Sequence, residues 1–143
     1  NEWLITGIQL EVDHTGSGVA TDFEHRSYGQ ELELCKRYCH VLASGGVYTR
    51  FALGYATSST SVRWLNYLRP EMRSTPSFTH SGNFSCQPGS SFSISDVVLE
   101  SASSSTHMAV FETNGNSGMA SGQAISLHAN NDANAKIIFS SEL

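Results

Sequence analysis

The sequence predicts a mainly β protein: an antiparallel β-sandwich of jelly-roll type, preceded by a short strand and one linker α-helix. Three observations carry that prediction. Apolar residues recur with period two in short runs, the pattern of strands that bury one face. Clusters of Gly, Ser, Asn and Asp interrupt those runs at short, regular spacing, which marks the hairpins and loops of a two-layer all-β fold. A single charged segment near the start carries helix-capping chemistry and a helical period.

The elements follow in order. Ile8, Leu10 and Val12 alternate with Gln9 and Glu11 as a first strand, which "DHTGSGVATD" ends with turn formers. Ser27 followed by Gln30 has the spacing of a capping box, in which each side chain satisfies a backbone N–H left free at a helix start. Tyr28, Leu32, Cys35 and Cys39 then share one helical face, while Glu33 can pair with Lys36 and Arg37. This spacing predicts a helix of about three turns that stops before Ser44 to Gly46.

Strands dominate thereafter. Val47, Thr49, Phe51, Leu53 and Tyr55 alternate along one of them; Val62, Trp64, Leu65, Tyr67 and Leu68 make a denser second. Pro70 and Pro76 lack a backbone donor, which places their segment at a sheet edge or at a crossing between sheets. Phe78 and Phe84 flank "THSGN", and Phe92, Ile94, Val97, Val98 and Leu99 form one further strand with an irregularity at Asp96. "SASSST" precedes Met108, Val110 and Phe111; "NGNSG" precedes Ile125 and Leu127; "NNDANA" precedes Ile137, Ile138 and Phe139. No internal repeat is visible, and the Ser-rich tracts are short enough to be loops.

At 143 residues the chain fits one domain with a real core. Only 15% of residues are charged, so neutral polar groups must supply most of the solvation, as on a hydrated β surface with many turns. The net charge of -5 and the lack of a basic stripe argue against a nucleic-acid partner. No apolar run approaches the roughly 20 residues that cross a bilayer, and no secretory leader is recognisable, so membrane insertion is not expected. The immediate strand-like opening at Asn1 reads as a piece of a longer polypeptide. Cysteines at 35, 39 and 86 are odd in number and cannot close a disulfide framework, which points to a reducing folding compartment.

Candidate chemistry is sparse. Cys35, Cys39, His40 and Cys86 carry the atom types of a zinc site, but Cys39 and His40 project about 100° apart on a helix. The two helical cysteines read better as small core residues that press the helix on the sheet. Histidines at 14, 25, 40, 80, 107 and 128 fall in no metal or protease motif. There is no GxSxG elbow, no phosphate-cradling glycine loop and no calcium loop, so neither a catalytic residue nor a cofactor is expected. Carbohydrate binding is better served. A sugar offers an apolar face and many hydroxyls, which aromatic planes and polar side chains match together, and Tyr48, Arg50, Trp64, Tyr67, Asn114 and Asn116 are candidates for that role. The competing reading puts Trp64 and Phe51 in the core and lets Asn130, Asn131 and Asn134, like the other asparagines, make turns.

"ITGIQLEV", then "VATDFEHRSYGQELELCKRY", and later "PEMRSTPSFT" resemble the C-terminal modules of tailed-bacteriophage tail fibres, tailspikes and other virion appendages. The similarity is close from Ile5 to Tyr38 and from Pro70 to Thr79; the last third matches only in pattern. "DHTGSG" lengthens the turn before Val19, and Cys39 stands where an aromatic is expected beside Tyr38. The resemblance implies the end of a preceding module over residues 1–22, a linker helix over 23–43 and a sandwich over 44–143. It implies a homotrimer in a phage virion, synthesised in the host cytoplasm, that contacts other virion proteins and binds bacterial surface polysaccharide or another envelope receptor without enzymatic action. The alternatives are a purely structural trimerisation module and a non-catalytic appendage of a polysaccharide depolymerase.

Overall fold

A computed structural model describes residues 12, 16, 18–19, 22, 25–87, 92–94, 96–114 and 118–141. The strand expected from Ile8 to Val12 lies outside the described residues except for Val12. Helix α1 spans Tyr28–Lys36, and its start is built as expected: the Ser27 hydroxyl accepts from the Gln30 N–H, and the Gln30 side chain accepts from the Ser27 N–H. Lys36 also pairs with Glu33, at 2.8 Å.

The second half of the predicted helix is a strand instead. β1, Cys39–Ala43, pairs antiparallel with β10, Lys136–Ser140, from Cys39 opposite Ser140 to Ala43 opposite Lys136. A full ladder of inter-strand hydrogen bonds, with Leu42 packed on the core, outweighs the local helical preference of this stretch. The carbonyls released at the helix end are taken up by tertiary partners: Arg37 O accepts from the Arg73 N–H and the Ser141 hydroxyl, and Tyr38 O from the Ser141 N–H. Cys39–Ala43 is therefore a strand of the smaller sheet. None of the nine helix residues is buried, and Cys35 and Cys39 are both exposed rather than pressed into a core.

Among the described residues ten strands form two antiparallel sheets. The smaller has the order β1-β10-β4, with β4 at Ser77–Ser81. The larger has the order β6-β5-β9-β2-β3-β8-β7. Its members are β2 Arg50–Ala56, β3 Val62–Tyr67, β5 Phe84–Gln87, β6 Phe92–Ser93, β7 Asp96–Leu99, β8 Met108–Asn114 and β9 Ala124–Ala129. The proline segment crosses from β3 in the larger sheet to β4 in the smaller, as its missing donors predict.

The stretch from Phe92 to Leu99 is not one strand. β6 and β7 occupy opposite edges of the larger sheet although only Ile94 and Ser95 separate them. In a flat sheet, strands about 4.8 Å apart would place those edges roughly 29 Å from each other. Three residue steps span at most about 11 Å. The sheet must therefore curl into a half-barrel whose edges nearly meet, and the smaller sheet closes over the open side.

The core fills that curl. Trp64, Phe111, Leu127, Ile137 and Phe139 are fully buried, and Phe78, Phe111 and Phe139 form a cluster of tilted rings with centroids 5.5 to 6.2 Å apart. Strand β2 departs from the expected alternation. Phe51 packs on the core, but a register shift between Arg50 and Ala52 in the β2–β9 pairing inverts the parity beyond it. Ala52, Gly54 and Ala56 consequently face inward, and Leu53 and Tyr55 face solvent.

Candidate functional site

The inverted parity of β2 creates a surface that no single stretch of sequence announces. Antiparallel register aligns Gln87, Ser126, Leu53 and Leu65 in one row across β5, β9, β2 and β3 on the outer face of the larger sheet. Leu53 and Leu65 are direct cross-strand partners, and Leu53 is 74% exposed. A second row runs Tyr55, Arg63, Glu112 and Val98 through β2, β3, β8 and β7. Tyr67 lies two residues beyond Leu65 on the same face and is 67% exposed. Tyr48, 62% exposed, projects from the turn before β2, at the same end of the sheet. Exposed aromatic and aliphatic side chains are thus collected on one face.

Polar groups frame this surface. The Arg50 guanidinium donates to the Ser126 hydroxyl and, at 3.3 Å, to Gln87 Oε1, which lays its stem across β9 toward β5. Arg63 donates from Nη2 to Glu100 Oε1 at 2.9 Å, and its Nε stands 2.9 Å from the other carboxylate oxygen in an ion pair without hydrogen-bond geometry, which ties β3 to the segment after β7. The Tyr55 hydroxyl first, and Glu100 after it, favour the charged form of that guanidinium. Thr57 donates to Glu112 at 3.2 Å.

The predicted sugar-contacting residues divide accordingly. Arg50 and Tyr67 lie on the outer face, and Tyr48 is exposed in the turn at the same end of the sheet. Trp64 does not: it points inward, fully buried, with its indole N–H 3.0 Å from the Thr113 hydroxyl, so its ring offers no face to a ligand. The alternation of β3 decides this, because Val62 and Trp64 share the face opposite Leu65 and Tyr67. Asn114 accepts from the Ser61 hydroxyl at 2.6 Å and joins the β3–β8 end of the sheet, away from Tyr48 and Tyr67. Asn116 lies outside the described residues. Leu53, Tyr55 and Leu65 had been read only as strand positions; the signal that would have exposed them is the small-residue series Ala52, Gly54 and Ala56, which leaves room inside for Trp64.

The cysteines and histidines do not assemble. Cys86 is buried in the larger sheet and its thiol is pushed up by that burial, whereas Cys35 and Cys39 are exposed near the other sheet. Among the described residues no group of three or more His, Cys, Asp or Glu is placed to hold a metal ion. His40 lies 3.2 Å from Pro70 O and is engaged there with the crossing segment.

One carboxylate organises the loops next to the turn that carries Tyr48, where the Asp132 N–H donates to Val47 O at 3.1 Å. Asp132 accepts from the Asn134 N–H through one oxygen and from the Asn83 N–H through the other, both at 2.9 Å, tying the β9–β10 loop to the β4–β5 corner. That corner turns at Gly82, with φ +90, where an added Cβ would stand 2.6 Å from Ala135 Cα. The two amide donors, Asn134 first, hold the Asp132 carboxyl below the usual carboxylate range. A carboxyl lowered by folding stabilises the native state above its unfolded value, and that contribution disappears as pH falls through the lowered one. Asp132→Ala is therefore expected to unfold at lower denaturant than the parent at neutral pH, with the gap closing in acid; a gap independent of pH would show that the charged form is not what the loops hold.

Comparison with known proteins gives no match: no family model, no curated protein and no solved structure corresponds to the chain.

Proposed function

We propose that this chain is a non-enzymatic module of a tailed-bacteriophage appendage, a tail fibre or tailspike, that works as a homotrimer in the virion and attaches to bacterial surface glycan. The observation that carries the reading is the exposure of Tyr67 on the outer sheet face and of Tyr48 in the turn before β2, at the end of the sheet where Arg50 opens that strand. Aromatic planes complement the apolar faces of sugar rings, and the guanidinium supplies donors for hydroxyls. A closed threefold assembly would repeat this face, so individually weak contacts become firm attachment through effective concentration. The sequence segments that resemble phage appendage modules support the same setting.

Glycan arrays and host-cell binding with the purified module test the attachment role. The expected result is binding that Tyr48→Ala and Tyr67→Ala together reduce at least about tenfold, since stacked rings contribute on the order of 1 kcal/mol each. Binding to intact envelope that ignores both substitutions would remove this face from the role. Incubation with host polysaccharide is expected to release no reducing ends, and release would make the module catalytic.

A second reading, a structural trimerisation module without a ligand, is favoured by one specific observation. Leu53 and Leu65 are adjacent aliphatic side chains open to solvent, and aliphatic pairs suit contact between protein copies better than contact with sugar. Leu53→Arg is expected to lower the mass measured by light scattering from three copies toward one if that face joins subunits.

A further inference from the structure

The curl of the larger sheet leaves a seam where β4, the β5 edge and β7 converge, and a cleft of about 210 Å³ opens there. It is lined by His80, Asn83, Phe84, Ile94, Asp96, Val97 and Asn130 around the Gly82 corner. It falls below the ~300–1,000 Å³ of sites for drug-sized ligands, which limits an occupant to a single ring.

The chemistry of the walls is divided. Phe84 and Val97 are buried and, with Ile94, make an apolar floor. His80 stands edge-on to Phe84, with ring centroids 6.0 Å apart, and is tilted against Phe78 at 5.9 Å, so the imidazole continues the apolar wall. Asn83, Asn130 and Asp96 add amide and carboxylate groups to it. The two asparagine positions are fixed relative to each other, because the Asn130 N–H donates to Asn83 O at 2.9 Å while the Asn83 N–H donates to Asp132. A rim held in this way loses little freedom when a ligand arrives.

We propose that this seam cleft is a second carbohydrate subsite, one that accepts a single uncharged sugar ring; the inference rests on the reading that the module binds glycan. Phe84 and His80 take the apolar side of the ring, Asn83 and Asn130 exchange hydrogen bonds with hydroxyls, and Asp96 accepts from a hydroxyl pair. Selectivity against acidic sugars follows from charge. Asp96 lines the cleft, Asp132 sits directly behind its rim, and none of the lining residues is Lys or Arg, so a uronate or sialate carboxylate would meet like charge without a counter-ion.

The test is amide-resolved NMR titration of the full chain with glucose, galactose, mannose and N-acetylglucosamine, and in parallel with glucuronic and N-acetylneuraminic acids. The expected result is saturable shifts at His80, Asn83, Phe84 and Asn130 with at least one neutral sugar and none with the acids. Asp96→Ala and Asn83→Ala should each weaken that binding about tenfold, the loss of one or two charge-assisted or neutral hydrogen bonds. Both variants must keep the parent's spectrum elsewhere, and Tyr67→Ala should leave these shifts unchanged. No neutral sugar shifting the cleft amides, or the acids shifting them more strongly, would overturn the subsite. Cleft amides that no neutral sugar shifts, with host-cell attachment retained, would leave the function proposed above intact while this inference falls; a sugar-filled cleft without any cell attachment would do the reverse.

Discussion

Gly54→Ala is expected to be among the most damaging single-methyl changes in the protein, lowering stability by about 3 kcal/mol. Gly54 sits between Ile125 on β9 and Trp64 on β3 in one inward-facing row. A Cβ there would stand 2.2 Å from the Arg63 carbonyl oxygen and 2.7 Å from Trp64 Cε3. Backbone cannot yield as the end of a long side chain can, so β2 and β3 would have to separate. The conflict is one of space; Gly54 is not among the glycines with positive φ. At this chain length 1 kcal/mol corresponds to roughly 4 °C in Tm, so a fall of about 12 °C should appear in thermal denaturation. Gly45→Ala, where nothing lies within 4 Å, is the control and should be close to neutral. An unchanged Tm for Gly54→Ala would refute the β2–β3 register and the inward placement of Trp64 together.

Trp64 provides the second large effect. Trp64→Ala is expected to cost about 3–5 kcal/mol by emptying the centre of the core. That is a substantial part of the ~5–15 kcal/mol that holds a domain together. Trp64→Phe keeps most of the apolar volume but leaves the buried Thr113 hydroxyl without its indole donor, an expected loss of about 1–3 kcal/mol. Adding Thr113→Val should recover part of that loss, because the orphaned polar atom is then gone. Urea unfolding of the three variants reads these differences. Sugar binding should not change in Trp64→Phe, and a variant that loses sugar while keeping its stability would return Trp64 to the ligand face.

The two substitutions show why the site was harder to read than the fold. Alternation in Val62 and Trp64, turn clusters at "NNDANA", the missing donors of Pro70 and Pro76, and the Ser27 to Gln30 spacing each act within a few residues. Their outcomes were legible because the energies involved, caps, turns and one-sided burial, are local. Trp64 also illustrates the limit: an aromatic in a period-two run fits a sugar platform or a core equally, and only the face chosen by the whole strand decides.

The chain's own order of residues determined a β-sandwich, its turns, its capped helix start and the crossing at the prolines. Tertiary structure alone decided that Cys39–Ala43 leaves the helix for β10, since a ladder from a strand about 100 residues away outweighs local propensity. It also decided that one register shift after Arg50 turns Leu53 and Tyr55 outward, and that curling of the sheet splits Phe92 to Leu99 across two edges and opens a cleft between them. Side-chain parity and sheet closure depend on partners distant in sequence, and a period of two cannot tell which of its two faces the partner will cover.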